Sequence, residues 1–453
     1  MMKLQSINPA TGAEIKTWEE HSPAEVERRI QLSYDGWKKW SATPIADRSA
    51  FLHRMAVLLD ERAEQYGKLI VSEMGKPIGE AIGEVKKCAL GARHFADNGP
   101  AYIADEPIPG TPARIVYQSI GPIFAIMPWN LPFWQVLRLF SPTALIGNSL
   151  IVKHAESVQG CAEAIEQLIR DAGAPEGLYV NLAIQREEAS RVIADPRIHA
   201  VTVTGSVRAG RTVAEQAGNL GKKVVLELGG SDPFLVFEDA DLDKAVQLGV
   251  QSRYSNNAQS CIAAKRFFVA RPIAQKFTDA YVAAVRNLKV GDPADPTTKL
   301  GPLARSDLRD NVQRQVEDAI KAGAKVLTGG HPMQQPGNFY EPTVLTNLPH
   351  DAPIAREEFF GPVATIWTFD TEDQAIALAN DTDYGLGATV ISGNPERAQR
   401  VAGKIDSGVV FINDFLRSDP RVPFGGTKGS GFGRELGGLG ARELANAKVI
   451  WGQ

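Results

Sequence analysis

The hydrophobic and polar positions divide the chain into a helical first quarter and a longer region of alternating strands and helices. Ser22 and Pro23 indicate a helix start in which Ser22 is the N-cap and Glu25 closes a capping box. Apolar residues at helical spacing predict three long helices, over residues 24–41, 47–74 and 78–97. Residues 113–119 alternate between apolar and polar side chains, which is typical of an exposed strand.

Short apolar runs alternate with amphipathic segments from residue 123 onward. Strands are predicted at 123–127, 149–152, 180–182, 199–204 and 224–228. Helices are predicted between them, at 159–172, 187–194 and 209–217. Because such alternation produces parallel sheets with helices on both faces, we expect a doubly wound unit that binds a nucleotide at its strand ends.

A second alternating series runs from residue 234 to Phe411, with helices predicted at 242–255, 273–288 and 306–322. The boundary between the two series falls near residues 229–231. The predicted fold class is therefore α/β, with two doubly wound units. The tail is Gly-rich and ends in a strand-like run, 448–451, which could pair with an exposed edge of another subunit.

Composition and charge exclude several classes of partner. A net charge of −4 gives no reason to expect a nucleic acid or an anionic membrane. The most apolar region, residues 121–140, is interrupted by Pro128, Asn130 and Arg138 and does not predict a membrane span. No apolar run follows Met1, so no signal peptide is predicted.

The cysteines and histidines are few and scattered. Cys88, Cys161 and Cys261 do not suggest a disulfide framework, which favours a reducing, cytoplasmic location. The seven histidines show no His-x-x-x-His spacing, so no metal site is predicted.

The candidate chemistry centres on Cys261 and Glu227. Cys261 ends the polar stretch 256–261, and Glu227 places a carboxylate in the apolar strand end 224–228. Together they indicate covalent thiol catalysis with a nearby base. A carboxylate in such surroundings has a raised pKa, which suits a general base near neutral pH. The alternatives are an inert buried thiol and a structural ion-pair partner.

Two loops at strand ends give weaker signals. Residues 204–210 contain one loop glycine, Gly205, before a helix, which suits either a phosphate contact or an ordinary turn. Residues 128–132, Pro-Trp-Asn-Leu-Pro, form a stiff loop that either orients Asn130 or simply buries Trp129.

Six motifs, in order, resemble the aldehyde dehydrogenase superfamily. They are residues 128–132, 204–210, 226–230, 259–261, 357–362 and 423–431, and the similarity runs from Asn8 to the C-terminus. Residues 153–154, 263–266 and 418–421 are most similar to the bacterial succinate-semialdehyde dehydrogenases. The resemblance implies a Rossmann-like cofactor domain (1–100 and 120–229) and a catalytic domain (230–430). It also implies a small β oligomerisation arm (101–119 and 440–453), and hence a homodimer or homotetramer.

The resemblance implies oxidation of an aldehyde to a carboxylic acid with NAD or NADP. Cys261 would attack the aldehyde carbon, and the Asn130 side-chain amide with the Cys261 backbone N–H would bind the oxyanion. Departure of a hydride leaves a thioester, and Glu227 would activate the water that hydrolyses it.

The resemblance also assigns residues to the cofactor. Ser206, with Gly205, would contact the pyrophosphate, and Glu358 and Phe360 would hold the nicotinamide ribose and ring. The pocket would be lined by Pro128, Trp129, Leu228 and Gly229. A place in the apolar core is the alternative for Phe360.

Lys153 and Glu156 would lie at the adenosine ribose. A glutamate there accepts hydrogen bonds from both ribose hydroxyls and repels a 2′-phosphate, so we expect NAD to be preferred over NADP. In the alternative, Lys153 and His154 bind the phosphate and Glu156 turns away.

Cations and a hydroxyl near the implied tunnel favour a small aldehyde with a distal carboxylate, succinate semialdehyde above all. Arg138 matches the family's carboxylate-binding arginine, Arg253 is a possible second cation, and Ser418 and Arg421 lie on the loop that closes the tunnel mouth. The alternatives are a structural Arg138 with broad aldehyde specificity, or a catalytically silent member of the fold.

Two positions depart from the family pattern. Ala258 stands where the family usually has glycine, which costs about 1 kcal/mol if the backbone needs a positive φ there. Leu139 replaces a lysine of the proton relay behind the base, whereas Glu435 matches the acidic member of that relay.

Overall fold

The computed structural model describes residues 4–452. Outside the described residues lie Met1, Met2 and Lys3, where no signal peptide is predicted, and Gln453, the last residue of the predicted oligomerisation arm. The described chain begins with an antiparallel hairpin of β1 (Leu4–Ile7) and β2 (Glu14–Trp18). Four helices and two strands follow: α1 (Pro23–Ser41), α2 (Ile45–Glu61), α3 (Ala63–Met74), α4 (Ile78–Tyr102), β3 (Glu106–Pro107) and β4 (Ala113–Ser119).

The N-terminal helices begin close to their predicted positions but differ in detail. The Ser22 hydroxyl accepts the Glu25 N–H at 3.2 Å and caps α1. The reciprocal half of the capping box does not form, because the Glu25 carboxylate binds Arg28 and Arg29 instead. The single helix predicted over 47–74 is wrong, since the non-helical backbone of Arg62 separates α2 from α3.

A five-stranded parallel sheet forms the first α/β unit. Its elements, in chain order, are β5 (Pro122–Met127), α5 (Trp134–Ile146), β6 (Ser149–His154), α6 (Gln159–Asp171), β7 (Tyr179–Asn181), α7 (Arg186–Ala194), β8 (Ala200–Thr204), α8 (Val207–Asn219) and β9 (Lys223–Glu227). The strand order is β7-β6-β5-β8-β9, so successive strands are added on one side of β5 up to β7 and on its other side from β8 onward. Ligands of doubly wound sheets bind at such a reversal, outside the carboxyl ends of the strands. The stiff loop 128–132 and the turn at Gly205 both lie at this edge.

The second α/β unit is a seven-stranded sheet of order β12-β13-β14-β11-β10-β15-β16. Its elements are β10 (Asp232–Val236), α9 (Leu242–Tyr254), β11 (Ala264–Ala270), α10 (Arg271–Arg286), α11 (Ser306–Lys321), β12 (Lys325–Thr328), β13 (Thr343–Thr346), β14 (Val363–Phe369), α12 (Glu372–Asn380), β15 (Gly387–Ile391), α13 (Pro395–Ala402) and β16 (Val409–Ile412). All neighbours are parallel except β12 and β13. The predicted α/β class is confirmed.

The chain ends with α14 (Gly437–Glu443) and β17 (Ala445–Trp451). β17 pairs antiparallel with β4 of the same chain, from Ala445 opposite Ser119 to Trp451 opposite Ala113. The C-terminal strand therefore extends the small sheet of its own chain, and seven consecutive residue pairs join it to β4. Its outer edge has no partner strand among the described residues.

Apolar residues of α2 to α5 pack beneath the five-stranded sheet in one large cluster. Trp134 and Phe424 belong to this cluster, and Cys261 packs against it. The first α/β unit thus reaches the loop that carries Cys261. Across residues 4–452, no helix combines the length and apolarity needed to cross a bilayer.

Candidate active site

The loop before Cys261 has an unusual backbone. Asn256, Asn257 and Ala258 adopt left-handed φ angles of 57°, 54° and 60°. Asn257 stabilises this turn by donating through its side-chain amide to the carbonyls of Gly75 at 2.7 Å and Pro302 at 2.9 Å. The backbone does need a positive φ at Ala258, so the alanine carries a penalty of about 1–2 kcal/mol that glycine would avoid.

Asn130 lies beside the thiol loop. Its Nδ2 atom donates to the carbonyl of Gln259 at 2.9 Å. The Asn130 carbonyl accepts from Nδ2 of Asn256 at 3.0 Å and from Nζ of Lys76 at 2.9 Å. The side-chain amide is therefore held against Gln259, which lies two residues before Cys261. Its second N–H remains available for an oxyanion.

Glu227 is the last residue of β9 and is 2% exposed. Neither of its carboxylate oxygens has a hydrogen-bond partner among the described residues. Burial, reinforced by the charge of Glu435, raises the pKa of Glu227 well above its usual range, against the charge of Arg138. Gly230 follows in the same segment, and a Cβ there would lie 2.7 Å from the Cys261 carbonyl. The carboxylate strand end and the thiol loop are thus in contact.

Burial raises the pKa of the Cys261 thiol to about 12, although the charges of Lys265 and Arg138 act in the opposite direction. The thiol is therefore protonated at neutral pH. Since only the thiolate is an effective nucleophile, Cys261 needs a base to remove its proton.

The predicted pyrophosphate contact lies at the start of α8. The Ser206 hydroxyl caps this helix by accepting the Ala209 N–H at 3.3 Å. The Gly205 N–H donates to the backbone carbonyl of Glu227 at 3.0 Å. An anion bound at this helix N-terminus would therefore lie next to the strand end that carries the base.

The predicted nicotinamide residues form a second group beside the thiol loop. Glu358 accepts through Oε1 from Lys265 Nζ at 3.1 Å and from the Gly230 N–H at 3.2 Å. Trp129 and Phe360 meet edge to face, with ring centroids 5.8 Å apart. Pro128 begins the Trp129 loop, and Leu228 packs against Gly210 of α8.

Lys153 and Glu156 form an ion pair, with Nζ 2.8 Å from Oε1. Burial raises the pKa of Glu156, but the charge of Lys153 outweighs it and keeps the pKa below its usual value. His154 is fully buried, its ring faces the carbonyl of Pro132 at 2.9 Å, and burial lowers its pKa to about 4. The alternative role of His154 in phosphate binding is therefore wrong, because a neutral, enclosed imidazole cannot reach an anion.

The predicted substrate residues do not form one group. Arg138 is buried and pairs with Glu435, with Nε 2.5 Å from Oε2. Ser418 is also buried, and its Oγ accepts from Trp134 Nε1 at 2.9 Å and from Lys87 Nζ at 2.8 Å.

One of these predictions requires correction. Arg253 is 0% exposed and its guanidinium donates to the backbone carbonyls of Val363, Phe359 and Gly361, so it supports a loop and does not face substrate. That assignment failed because residue type alone does not say which way a side chain points. Arg421 is 74% exposed at its side chain and is paired with Asp419 at 2.6 Å, and its contact with substrate stays a prediction.

Comparison with known proteins agrees with this geometry. The model of the aldehyde dehydrogenase family matches residues 2–450. The chain belongs to the aldehyde dehydrogenase family. This aldehyde dehydrogenase is 48% identical to a probable succinate-semialdehyde dehydrogenase [NADP(+)] of Synechocystis sp., over 99% of this chain and 100% of the relative. It is 46% identical to a succinate semialdehyde dehydrogenase [NAD(P)+] of Escherichia coli, over 98% and 97% of the two chains.

A solved structure is also similar over nearly the whole length. The succinic semialdehyde dehydrogenase of Streptococcus pyogenes, in complex with NADP+, superposes with a TM-score of 0.97 and 38% identity, over 99% of each chain. Oxidation of an aldehyde with NAD(P) is therefore the reaction of this aldehyde dehydrogenase.

Sequence reasoning missed three side chains that organise the site. Lys265 joins the Cys261 carbonyl, at 2.7 Å, to the Glu358 carboxylate. Asn256 bridges the carbonyls of Asn130 and Gln259. Lys87 reaches Ser418 from α4, a helix that looked purely structural in sequence. Lys265 and Asn256 lie in the segments 263–266 and 256–261 that the sequence singled out, but their contacts with Glu358 and Asn130 could not be inferred because these partners are distant in the chain. Lys87 lies in no motif.

Proposed function

We propose that this aldehyde dehydrogenase oxidises succinate semialdehyde, or a close ω-carboxy aldehyde, to the dicarboxylate. The names of two relatives, 48% and 46% identical, support this substrate. The observation that carries the proposed mechanism is the unpartnered, buried Glu227 carboxylate on a strand end that touches the Cys261 loop. The Lys87 ammonium, which donates to Ser418 Oγ, adds a positive charge beside this predicted substrate residue and suits a distal carboxylate.

Each step of the proposed reaction has a side chain of this chain to perform it. Glu227 accepts the thiol proton, Cys261 Sγ attacks the aldehyde carbon, and the Asn130 amide with the Cys261 N–H stabilises the oxyanion. After oxidation, Glu227 gives that proton up to solvent and takes another from the water that attacks the thioester. It returns this proton to the Cys261 sulfur as the acid is released.

The residues present fit a nicotinamide dinucleotide, which when bound supplies the hydride acceptor. The start of α8 offers N–H groups to a pyrophosphate, and Glu358 offers carboxylate oxygens to a ribose. Trp129 and Phe360 provide apolar faces for a ring.

Two substitutions test the mechanism. Cys261→Ala should abolish turnover and leave NAD(P) binding intact, whereas Cys161→Ala, at a buried cysteine away from the site, should retain activity. Glu227→Gln should slow NADH formation by about 100-fold or more from the first turnover onward, because neither the thiol nor the thioester has its base. Stopped-flow absorbance measures both. A steady rate like that of the wild type in Glu227→Gln would remove Glu227 from the mechanism.

A substrate panel tests the proposed substrate. We expect kcat/KM for succinate semialdehyde to exceed that for butanal, hexanal and benzaldehyde. Equal values across the panel would instead support a broad aliphatic and aromatic aldehyde dehydrogenase.

We also propose that NAD is preferred over NADP, although relatives are named for NADP(+). The Lys153–Glu156 ion pair supports this. Glu156 neutralises Lys153, the cation that the resemblance places at the adenosine ribose, and its carboxylate would repel a 2′-phosphate.

Glu156→Ser should free Lys153 and raise the NADP/NAD ratio of kcat/KM by about 10-fold or more, the usual effect of gaining one charged hydrogen bond. Initial rates with each cofactor measure the ratio. The exposed Glu215, changed to Ser, is the control and should leave it unchanged. A wild type that prefers NADP would contradict the assignment.

We further propose that the protein is a homodimer or homotetramer joined through β17. The outer edge of β17 is unpaired in the chain described, and Val449 and Trp451 on it are 56% and 70% exposed. A strand edge with exposed apolar side chains favours pairing with a second copy.

A cytoplasmic location is part of the same proposal. Cys88, Cys161 and Cys261 are all free thiols. Free thiols, one of them catalytic, suit a reducing compartment.

A further inference from the structure

Lys76 and Glu84 form a buried ion pair next to the loop that carries Asn130. Their side chains are 1% and 2% exposed, and Nζ lies 2.5 Å from Oε2. Lys76 stands between α3 and α4, and Glu84 is in the second turn of α4. Because two charges removed from water need further hydrogen bonds to be stable, the partners of this pair are informative. Those partners are backbone groups on either side of the Asn130 side chain.

The Lys76 ammonium holds the main chain at Asn130. Its Nζ donates to the Asn130 backbone carbonyl at 2.9 Å, and Asn256 Nδ2 donates to the same oxygen at 3.0 Å. A carbonyl oxygen has two lone pairs, so both are used. The main chain of Asn130 is therefore held from the α4 side by a charged donor and from the thiol loop by an amide.

The Glu84 carboxylate holds the start of α5, which follows Asn130 in the chain. Its Oε1 atom accepts the N–H groups of Phe133 at 2.9 Å and Trp134 at 3.0 Å. The N-cap residue of α5, Phe133, has no side chain that could cap these groups. A carboxylate at a helix N-terminus also interacts favourably with the helix dipole. Glu84 therefore anchors α5 from outside the helix.

The first turn of α5 in turn orients the Asn130 amide. Gln135 Nε2 donates to Asn130 Oδ1 at 3.2 Å, while Asn130 Nδ2 donates to the Gln259 carbonyl at 2.9 Å. Both side chains are buried, which leaves little room for the amide to rotate. The direction of the N–H that would bind the oxyanion therefore depends on where α5 begins.

The same helix, α4, also contacts the loop before Cys261. Glu80, one turn before Glu84, accepts the Asn256 N–H through Oε2 at 2.6 Å. Asn256 also donates to the Gln259 carbonyl at 2.9 Å. The two donors of the proposed oxyanion site, the Asn130 amide and the Cys261 N–H, thus belong to segments that α4 holds. A small shift of one donor relative to the other weakens the hydrogen bonds to the oxyanion.

We propose that Lys76 and Glu84 are positioning residues of the oxyanion site, and that they control the rate of aldehyde oxidation through Asn130. This inference rests on the proposed function, in which the Asn130 amide binds the oxyanion. Lys76 fixes the backbone at Asn130, and Glu84 fixes the helix whose Gln135 orients the amide. Their mutual ion pair joins the two supports into one unit.

A neutral double variant tests the positioning role. Lys76→Met with Glu84→Gln removes both charges together, so no lone charge is left buried, and the glutamine keeps an oxygen for the α5 N–H groups. The rate of NADH formation in the first turnover, measured by stopped-flow absorbance, should fall by about 10- to 100-fold, because an oxyanion donor is displaced. The Kd for NAD, measured by calorimetry, should change less than about threefold, since Glu358 and the start of α8 keep their contacts.

Two further variants separate position from stability. Glu84→Asp keeps the charge and shortens the side chain by one methylene, so it tests the same contacts without removing the ion pair; the first-turnover rate should fall by about threefold or more. Lys222→Met is the control, because Lys222 Nζ also donates to two backbone carbonyls, those of Ile193 and Asp195, both at 2.5 Å. Lys222 precedes β9, whereas Glu227 ends this strand. Its loss should lower the melting temperature and leave the first-turnover rate unchanged.

A double-mutant cycle with Asn130→Ala shows whether the pair acts through Asn130. In the Asn130→Ala enzyme, adding Lys76→Met and Glu84→Gln, or Glu84→Asp alone, should lower the first-turnover rate by less than about twofold more, because the group being positioned is already gone. Effects that multiply would overturn the inference, since the pair would then act through another part of the site. A wild-type rate in both the double variant and Glu84→Asp would also overturn it.

The proposed function fails by a different result. A wild-type rate in Asn130→Ala itself would remove the Asn130 amide from the oxyanion site, whatever the variants at Lys76 and Glu84 do. A slow Asn130→Ala enzyme with unaffected Lys76 and Glu84 variants would overturn the positioning role alone.

Discussion

Arginine and lysine side chains illustrate how the function of a residue depends on its neighbours. Arg253, Arg138 and Lys87 are all cations close to the active site. The first supports backbone carbonyls, the second is paired with Glu435, and the third has no carboxylate partner among the described residues. Sequence motifs pointed to the two arginines, whereas no motif marked the lysine. The partners of each cation therefore had to come from the folded structure.

At the same scale, Gly229 allows the Glu358 carboxylate to approach the strand end. A Cβ at this position would lie 2.4 Å from Oε2 of Glu358. Gly229→Ala should therefore displace Glu358 and lower kcat/KM for NAD by about 10-fold or more, since small displacements of positioning groups are costly. Steady-state kinetics at varied NAD measure this effect. Gly218→Ala is the control, because a Cβ there meets no atom within 4 Å. Unchanged NAD kinetics in Gly229→Ala would argue against the role of Glu358.

At the scale of elements, the proposed catalytic side chains come from the ends of different strands and from loops that brace one another. β5 delivers Asn130, β9 delivers Glu227, and the loop after α9 delivers Cys261. The strained turn before Cys261 persists because buried amides and Arg253 hold its backbone. The departure at Ala258 is therefore accommodated within the turn.

Arg253 also braces the segment that carries Glu358 and Phe360. Arg253→Met should lower the free energy of unfolding by about 3 kcal/mol or more, because buried carbonyls lose charged donors, and should raise KM for NAD. Chemical denaturation and kinetics measure the two effects. Arg271→Met removes an exposed arginine that is paired with Asp370 and should cost less than about 1 kcal/mol. Similar small losses in both variants would indicate that the carbonyls find other donors.

At the scale of the whole molecule, the small β sheet leaves one apolar edge exposed. Trp451→Lys should weaken self-association, because a lysine on a strand edge disfavours edge pairing. Sedimentation equilibrium should then show a shift from the oligomer toward the 49.0 kDa chain. Leu220→Lys, at an exposed apolar residue next to α8, is the control. An unchanged mass for Trp451→Lys would place the interface elsewhere.

The alternation of strands and helices determined the α/β class, and ordered motifs determined the family. Both depend only on residues that are close together in the sequence. Cys261, Glu227 and Asn130 could be proposed for the same reason. Tertiary structure decided that Arg62 interrupts a helix, that β17 pairs with β4, and that Arg253 binds backbone carbonyls instead of facing substrate. It also placed Lys87 beside Ser418, 331 residues away along the chain. Charge pairing and side-chain direction depend on residues that only folding brings together, and for that reason no local pattern contains them.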